Sequence, residues 1–574
     1  MAGELRFGEA RQRESFGKFV FARPSWIGSL VGLAFLWLSL TPSLLPRPWI
    51  TQGLVSAISI AFGYGLGSLL GWVIRYFRHR SGRPEGRAAT MKRARIVLWG
   101  LFAVVVAAAI VLWPVWQNEQ RELVGMDPIP GVVILYAIGL SVVLAAVLIV
   151  IGRMLAFVVR GLDRWFAKRL PKPLVYVLVV LIVAGTAYLF TIDVVFNGFT
   201  AWANDRYEAA DQEGYPGDVR PTSALKSGSP DSMVAWDSVG REGRAFLANA
   251  SSPDDIAAFT DRPAIEPIRV YAGLNSADSP EGRAALVVEE LRRTGGFERS
   301  HLVVVATTGT GWVDPDAAHV AEYMYGGDTA IAAIQYSFLP SWISFLVDSE
   351  KSAAAGSAIF DAVVGEWERL PDATRPILIL FGESLGSFGA EAAVGGGDLE
   401  QSVLEAERVD GVILLGPTNQ NILWQQLISA RNPSTPAWKP HSVPHPELIV
   451  ANLVGEVAPA QAGPGLGHIL YYHHPSDPIG YWNWETLWKP QEWAGEPIGY
   501  DVSPATRWYP FVTFWQVVFD LIAGFSAPSG YGHNYSVDMA DAWAAVVAPD
   551  GWTVRDSDRL RDHLGLTLGP DSGG

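Results

Sequence analysis

The chain has 574 residues and a formal net charge of −15, and it is long enough for two or more domains. It contains no cysteine, which excludes disulfide bonds and thiolate metal sites. Residues 1–200 carry 21 Lys and Arg against 9 Asp and Glu, whereas the remainder is strongly acidic, which indicates two environments and argues against nucleic acid as a partner.

Residues 1–200 are predicted to form a transmembrane domain, because they contain five long apolar runs. Each run reaches roughly the 20 residues that a helix needs to cross about 30 Å of hydrocarbon. The first run contains Pro42 and lacks a clear cleavage site, so we expect a retained anchor. The sequence thus predicts an α-helical transmembrane bundle of about five spans in a lipid bilayer. The predicted spans are about 26–45, 54–77, 96–116, 132–159 and 174–196.

Positive charge predicts the orientation of these spans. Eight Lys and Arg residues lie at 75–95 and six at 153–172, whereas the first and third loops contain only Arg47 and Arg121. By the positive-inside rule the N-terminus is cytoplasmic, and the chain from about residue 200 onward is extracytoplasmic.

The second run carries Gly63, Gly67 and Gly71, one on each turn of a helix. Such small residues let another helix approach closely. This face could pack within the same bundle or mediate a homodimer. Asp193, near the outer end of the fifth run, is the one acidic residue close to a span, which argues against a transporter with an ionisable relay at mid-depth.

Residues 201–262 are rich in Asp, Ser, Pro and Gly and are predicted to be a loop-dominated connector. From 263 to 574, short apolar strands alternate with helices, which predicts an α/β domain with a mostly parallel sheet. The predicted strands are 268–272, 301–306, 330–337, 377–381, 412–415 and 468–472.

The motif Gly382-Glu-Ser384-Leu-Gly386 lies between the strand 377–381 and a run of small residues. A G-x-S-x-G turn between strand and helix exposes the serine Oγ as a nucleophile and presents the next amide, that of Leu385, to an oxyanion. Glycines flank the serine because the two backbones approach closely. In this context the motif predicts an α/β-hydrolase domain at 263–574 and covalent serine catalysis, with no cofactor and no metal.

A serine nucleophile needs a base and an acid that orients the base, and in this fold they follow in the order serine, acid, histidine. The best acid is Asp477, just beyond the strand 468–472. Asp410 competes, but it precedes its strand and is expected at the wrong edge of the sheet. The best base is His533, in the Gly-rich loop Gly-Tyr-Gly-His-Asn. His473 and His474 adjoin the acid and are candidates for substrate contacts or plain surface residues.

The oxyanion hole needs two backbone donors. Besides Leu385, the loop 307–312 is expected to supply one, and Thr308 is favoured over its immediate neighbours because small residues there allow close approach.

Aromatic segments point to the substrate. Residues 338–347 are apolar, and an insertion at about 478–515 contains six tryptophans. Tryptophan favours membrane interfaces, so the insertion could be a cap that meets lipid and admits an acyl chain. Alternatively it covers the domain core or packs on the helical bundle.

With these residues in place, the chain resembles a family of bacterial membrane α/β-hydrolases, in which a multi-span segment precedes a C-terminal serine-hydrolase domain. The resemblance covers nearly the whole chain and implies the fold, the Ser384 nucleophile and a location in the bacterial cell membrane, but it does not define the substrate. It rests on the span pattern and on the segments Met-Val-Ala-Trp-Asp-Ser-Val-Gly-Arg-Glu-Gly-Arg at 233–244, Thr-Gly-Thr-Gly-Trp-Val-Asp at 308–314, Gly-Glu-Ser-Leu-Gly at 382–386 and Gly-His-Asn-Tyr at 532–535.

Three functions follow from the sequence. The first is a membrane-anchored extracytoplasmic serine hydrolase that cleaves an acyl ester of a lipid or envelope component. The second is an acyltransferase that uses the same acyl-enzyme. The third is a non-catalytic membrane scaffold or transport-associated protein, against which a complete Ser-His-Asp triad argues.

Overall fold

The computed structural model describes residues 16–81, 88–166, 185, 198–395, 408–441, 448–460, 468–496 and 498–568. A helical bundle at the N-terminal end precedes an α/β domain. The bundle helices are α1 (Phe16–Val20), α2 (Trp26–Ser39), α3 (Trp49–Arg80), α4 (Ala88–Leu123) and α5 (Val133–Phe166).

The described residues from 198 onward form further helices and the strands of one sheet. The helices are α6 (Gly198–Glu213), α7 (Arg241–Ala248), α8 (Pro253–Thr260), α9 (Pro280–Thr294), α10 (Pro315–Met324), α11 (Ser341–Val347), α12 (Ser349–Trp367), α13 (Leu385–Ala393), α14 (Ile422–Ala430), α15 (Val512–Gly524), α16 (Met539–Val546) and α17 (Val554–Leu564). The strands are β1 (Ile268–Ala272), β2 (His301–Ala306), β3 (Thr329–Ile334), β4 (Ile377–Glu383), β5 (Gly411–Leu415), β6 (Leu448–Ala451) and β7 (His468–Tyr472).

Three helices among the described residues are long and apolar enough to cross a membrane. The predicted first span, 26–45, forms only the 14-residue helix α2, because Pro42 follows it and proline cannot continue a helix. The predicted fifth span, 174–196, lies outside the described residues apart from residue 185. The predicted count of about five spans is therefore not supported. The three candidate spans are Trp49–Arg78, Ile96–Leu123 and Val133–Leu162.

The glycine face of α3 packs against α2 of the same chain. A Cβ atom at Gly67 would lie 2.7 Å from the carbonyl oxygen of Ile27, and one at Gly63 would lie 2.8 Å from the ring of Phe35. Gly71 also faces Ile27. The close helix approach expected from the small-residue spacing thus occurs inside the bundle. These glycines are already covered and give no support to a homodimer.

The segment between α2 and α3 is buried between the bundle and the α/β domain, and residues 39–47 are all buried. The Ser43 hydroxyl donates to Asp520 Oδ1 (2.9 Å), and the Leu44 amide donates to Asp520 Oδ2 (3.0 Å). Asp520 lies on α15, so buried hydrogen bonds join the bundle to this helix.

Asp520→Ala is expected to destabilise the protein by about 1–3 kcal/mol, because it leaves the buried Ser43 hydroxyl and Leu44 amide without an acceptor. Thermal unfolding of the full chain in detergent measures the loss. The matched control is Asp361→Ala, which removes an exposed carboxylate from α12. Equal melting temperatures for the two variants would contradict the role of this contact.

The predicted connector, 201–262, is more helical than its composition suggested, since α7, α8 and most of α6 lie in it. Helix α8 begins at a local capping signal: the Ser252 side chain accepts from the Asp255 amide (3.1 Å), and proline occupies the first turn. The connector also runs beside β1, where the Ser227 amide donates to the Arg269 carbonyl (3.1 Å). It is therefore packed against the α/β domain.

The sheet has seven strands in the order β1-β3-β2-β4-β5-β7-β6, and every neighbouring pair is parallel. The six predicted strands are confirmed. Strand β6 was not predicted. Strands β1, β3 and β5 are buried along their whole length, as expected for a parallel sheet covered on both faces. The carboxyl ends of the strands therefore meet at one edge, where β2, β4 and β7 lead into the predicted site.

The aromatic insertion contacts both the domain core and the bundle. Trp482 is buried, and Phe511 stacks on Phe62 of α3 with ring centroids 3.7 Å apart. Trp484 and Trp488 remain exposed. Packing on the core and on the bundle thus accounts for part of the insertion, and an exposed aromatic surface remains.

Candidate active site

Ser384 lies at a sharp turn between β4 and α13. Its backbone angles, φ 55° and ψ −126°, are strained for a residue with a Cβ atom. A Cβ atom at Gly382 would lie 2.4 Å from the carbonyl oxygen of Gly386. The strand and helix backbones thus approach too closely for a side chain on Gly382, and a Cβ atom at Gly386 would lie 2.2 Å from the Ala306 carbonyl oxygen of β2. Close backbone approach is the predicted reason for the motif.

Asp477 and His533 form a buried hydrogen-bonded pair. His533 Nδ1 lies 2.7 Å from Asp477 Oδ2, and the Ile479 amide donates to Oδ1 (3.0 Å). Although burial raises the pKa of Asp477, the charge of His533 and its hydrogen bond hold that pKa below its usual value. A carboxylate in this position keeps the imidazole proton on Nδ1 and leaves Nε2 to accept another.

Ser384, His533 and Thr308 line one cavity of about 490 Å³. His533 Nε2 is buried and makes no hydrogen bond with any described residue. The structure therefore brings the predicted nucleophile and base to the same cavity, with the predicted acid behind the base. The free Nε2 atom can accept the proton of a serine hydroxyl.

Tyr535 is a second partner of the acid, and the sequence reasoning missed it. Its hydroxyl donates to Asp477 Oδ2 at 2.7 Å, and the residue is buried. Tyr535 follows His533 by two residues in the same loop. The spacing was visible in the sequence, but nothing in it indicated that the phenol turns back to the carboxylate.

One proposed oxyanion donor needs correction. Leu385 is the first residue of α13, so its amide has no acceptor within the helix. The Thr308 amide, however, donates to the Trp312 carbonyl (3.3 Å) in a tight turn, and the Gly309 amide donates to the Tyr336 hydroxyl (2.7 Å). The Thr308 hydroxyl is buried without a hydrogen-bond partner among the described residues. That hydroxyl, and not the amide, is the available donor of Thr308.

The remaining candidates do not line the cavity. His473 and His474 are completely buried, and His474 Nε2 lies 3.0 Å from Asp538 Oδ2. Neither histidine is a plain surface residue, and neither lines the cavity. Asp410 accepts from the Leu378 amide (2.8 Å) near the start of β4, at the opposite edge of the sheet, as expected.

Asp314 and Glu383 form an acidic pair that the sequence reasoning did not identify. Both line the cavity and are buried, and their carboxyl groups lie within hydrogen-bonding reach of each other. Asp314 Oδ1 also accepts from the Asp316 and Ala317 amides at the start of α10. Burial, followed by the charge of Asp316, raises the pKa of Asp314 to about 7, and burial with the charge of Asp314 raises the pKa of Glu383 well above its usual value. Both shifts favour a proton between the two carboxyl groups.

The contribution of Asp314 to the free energy of unfolding is expected to fall as the pH rises from about 4 to about 7. In the unfolded chain Asp314 loses its proton near pH 4, whereas burial keeps the proton in the folded protein up to about pH 7. The folded state binds more protons in this window, so the slope reaches at most about 1.4 kcal/mol per pH unit for one proton. Asp314→Asn should flatten this part of the curve, measured by thermal unfolding from pH 4 to 8. An unchanged slope would contradict the assignment.

The parallel sheet and the strained serine turn define an α/β-hydrolase domain. Comparison with known families agrees with this class. Residues 268–560 match an alpha/beta-hydrolase family, and residues 40–250 match the N-terminal region described for an alpha/beta-hydrolase family. The chain belongs to this family, which indicates a hydrolase-type function. No significant match was found among curated proteins or among solved structures.

Proposed function

We propose that the protein is a membrane-anchored serine hydrolase that cleaves an acyl ester of a lipid or envelope component outside the cytoplasm of a bacterium. Ser384 attacks the ester carbonyl while His533 takes its proton and later returns it to the leaving alcohol. Asp477 orients His533 and stabilises the imidazolium. The Leu385 amide and the Thr308 hydroxyl stabilise the oxyanion. Water then releases the acyl group from Ser384.

The main support for this proposal is the arrangement around the cavity. His533, which is joined to Asp477 by a hydrogen bond of 2.7 Å, lines the same cavity as Ser384, whose backbone φ is 55°. A strained backbone at a cavity wall is stable only when its surroundings enforce it, and such strain clusters at active sites. The free Nε2 atom of His533 adds an acceptor at that wall.

The position of the α/β domain supports an extracytoplasmic site. The domain packs on the segment 39–47, where the Thr506 hydroxyl donates to the Ser43 carbonyl (3.0 Å), and on the end of α4, where the Ser503 hydroxyl donates to Glu119 Oε1 (3.4 Å). Helix α3 starts at this end and runs about 48 Å to Arg80, within the Arg-rich segment 75–95. The positive-inside rule assigns that loop to the cytoplasm. This argument does not depend on the number of spans.

The rim of the cavity supports a lipid ester as the substrate. Phe525 lines the cavity and is 46% exposed, and Ile522, one turn earlier, is 61% exposed. Ile522 lies in α15 and Phe525 directly follows it. This helix packs against α2 and α3 of the bundle. An apolar rim beside membrane-spanning helices suits the entry of an acyl chain from the bilayer.

A fluorophosphonate probe tests the proposal, because it reacts with activated serines. The wild-type protein in membranes should be labelled, Ser384→Ala should not be, and the control Ser526→Ala, at an exposed serine, should be labelled normally. Absent labelling of the wild type, or equal labelling of Ser384→Ala, would favour a non-catalytic scaffold.

Topology has its own test. An alkaline phosphatase reporter fused after residue 574 should be active only if that end lies outside the cytoplasm. An inactive phosphatase fusion together with an active cytoplasmic reporter would overturn the proposed orientation.

A further inference from the structure

The catalytic cavity has two chemically different parts. Phe525 contributes an apolar wall, whereas Asp314 and Glu383 contribute two buried carboxyl groups next to the nucleophile. The described residues that line the cavity include no lysine and no arginine. The acidic pair therefore has no lysine or arginine partner among the described residues of the cavity wall.

Asp314 has a structural role of its own, but Glu383 does not. Asp314 caps α10 through two amides, at 2.6 and 3.1 Å. Glu383 is only 7% exposed, and apart from the carboxyl group of Asp314 its buried Oε2 atom has no hydrogen-bond partner among the described residues. An unpaired buried acceptor costs about 1–3 kcal/mol, and more when it is charged. A group that enters the cavity and donates a hydrogen bond would remove this cost.

The other acidic groups at the cavity are already balanced. The Tyr215 hydroxyl donates to Glu242 Oε1 (2.9 Å), and the Arg241 guanidinium lies 3.8 Å from the centre of the Tyr215 ring. Asp316 lies in the first turn of α10, where the helix dipole favours a negative charge. The Asp314–Glu383 pair has no such partner among the described residues of the cavity wall. The proton between its carboxyl groups is a hydrogen-bond donor, and its other oxygen atoms are acceptors.

We propose that Glu383 and Asp314 bind the alcohol portion of the substrate ester, and that this portion is a neutral polyol such as a sugar or glycerol. The inference rests on the proposed function and names the substrate class of the same site. Hydroxyl groups donate to the carboxylate oxygens and accept from the shared proton, so they match both properties of the pair. The apolar wall at Phe525 is left for the acyl chain.

Two competing alcohol portions fit less well. A phosphate-bearing alcohol would place its negative charge beside carboxylates with no cation in the cavity lining to offset it. An ammonium group can donate but cannot accept from the shared proton, and it would favour two ionised carboxylates in a buried place.

Three butyrate esters with different alcohols test the proposal: glucose 6-butyrate, ethyl butyrate and butyrylcholine. The wild-type full chain in lipid nanodiscs should give a kcat/KM for the glucose ester at least about tenfold above that for ethyl butyrate, because a site built to bind hydroxyl groups discriminates against analogues without them. In Glu383→Gln this ratio should fall about tenfold. The exposed matched variant Glu350→Gln should keep the wild-type ratio.

Some outcomes would contradict the polyol site and still be consistent with a serine hydrolase. Ser384-dependent hydrolysis with no preference for the glucose ester, or with a preference for butyrylcholine, would exclude the polyol site and leave the serine hydrolase intact. A ratio unchanged in Glu383→Gln would do the same.

A binding measurement keeps the inference testable if hydrolysis is not found. Calorimetry should show that Ser384→Ala protein in nanodiscs binds glucose 6-butyrate more tightly than ethyl butyrate. Adding Glu383→Gln should raise the Kd for the glucose ester about tenfold. Equal binding of both esters would refute the polyol site whatever the reaction is.

Discussion

Asp477→Asn is expected to lower kcat by about 10³- to 10⁴-fold while the protein remains folded. Asparagine is nearly the same size as aspartate, but it is neutral. Without the negative charge that lies 2.7 Å from Nδ1 in the wild type, the His533 proton is no longer held on that atom. The imidazole then adopts the wrong tautomer, and its Nε2 atom no longer accepts the serine proton. Hydrolysis of a short ester such as ethyl butyrate gives kcat, and thermal unfolding reports whether the fold is intact.

Two variants separate catalysis from structure. Tyr535→Phe removes the second hydrogen bond to Asp477 Oδ2, so it should cost much less, about tenfold in kcat. Asp410→Asn changes a carboxylate at the opposite edge of the sheet and should leave kcat unchanged. If Asp477→Asn stays within tenfold of the wild type, Asp477 is not the orienting acid.

Gly386→Ala is expected to destabilise the protein by more than about 3 kcal/mol or to prevent folding. The new Cβ atom would lie 2.2 Å from the Ala306 carbonyl oxygen at the end of β2. Neither backbone can move freely, because β2 belongs to the sheet and α13 begins at the nucleophile turn. Yield in the membrane fraction and the melting temperature measure the effect.

Gly365→Ala is the matched control, since Gly365 also lies in a helix but a Cβ atom there would meet nothing within 4 Å. Alanine favours a helix over glycine by roughly 0.5–1 kcal/mol, so this variant should be neutral or slightly stabilising. Similar melting temperatures for the two variants would show that the close contact at Gly386 can relax.

Much of the α/β domain was predictable because its signals are local. Apolar runs of four to eight residues predicted six strands, and the G-x-S-x-G spacing predicted the turn at Ser384. The order of acid and base along the chain led to Asp477 and His533, which the structure brings within 2.7 Å. That they act in catalysis stays a prediction.

Other expectations failed where structure depends on backbone detail. The Thr308 amide is used within its own turn, which composition does not reveal. Apolar length suggested a span at 26–45, but the helix ends at Ser39 and the chain continues as a buried, non-helical segment. Capping signals at Ser252 were present in the sequence, yet the polar composition around them favoured a loop.

Local sequence signals are enough to predict the class of this protein: apolar helices that suit a membrane, a parallel sheet and a serine turn, because each is encoded by neighbours in the chain. Which distant side chains meet depends on how these elements pack. Ser43 reaches Asp520 across more than 470 residues, and Asp314 reaches Glu383 beside the nucleophile. Such contacts arise from packing between elements that are distant in the chain. Local periodicity and motifs therefore do not predict them.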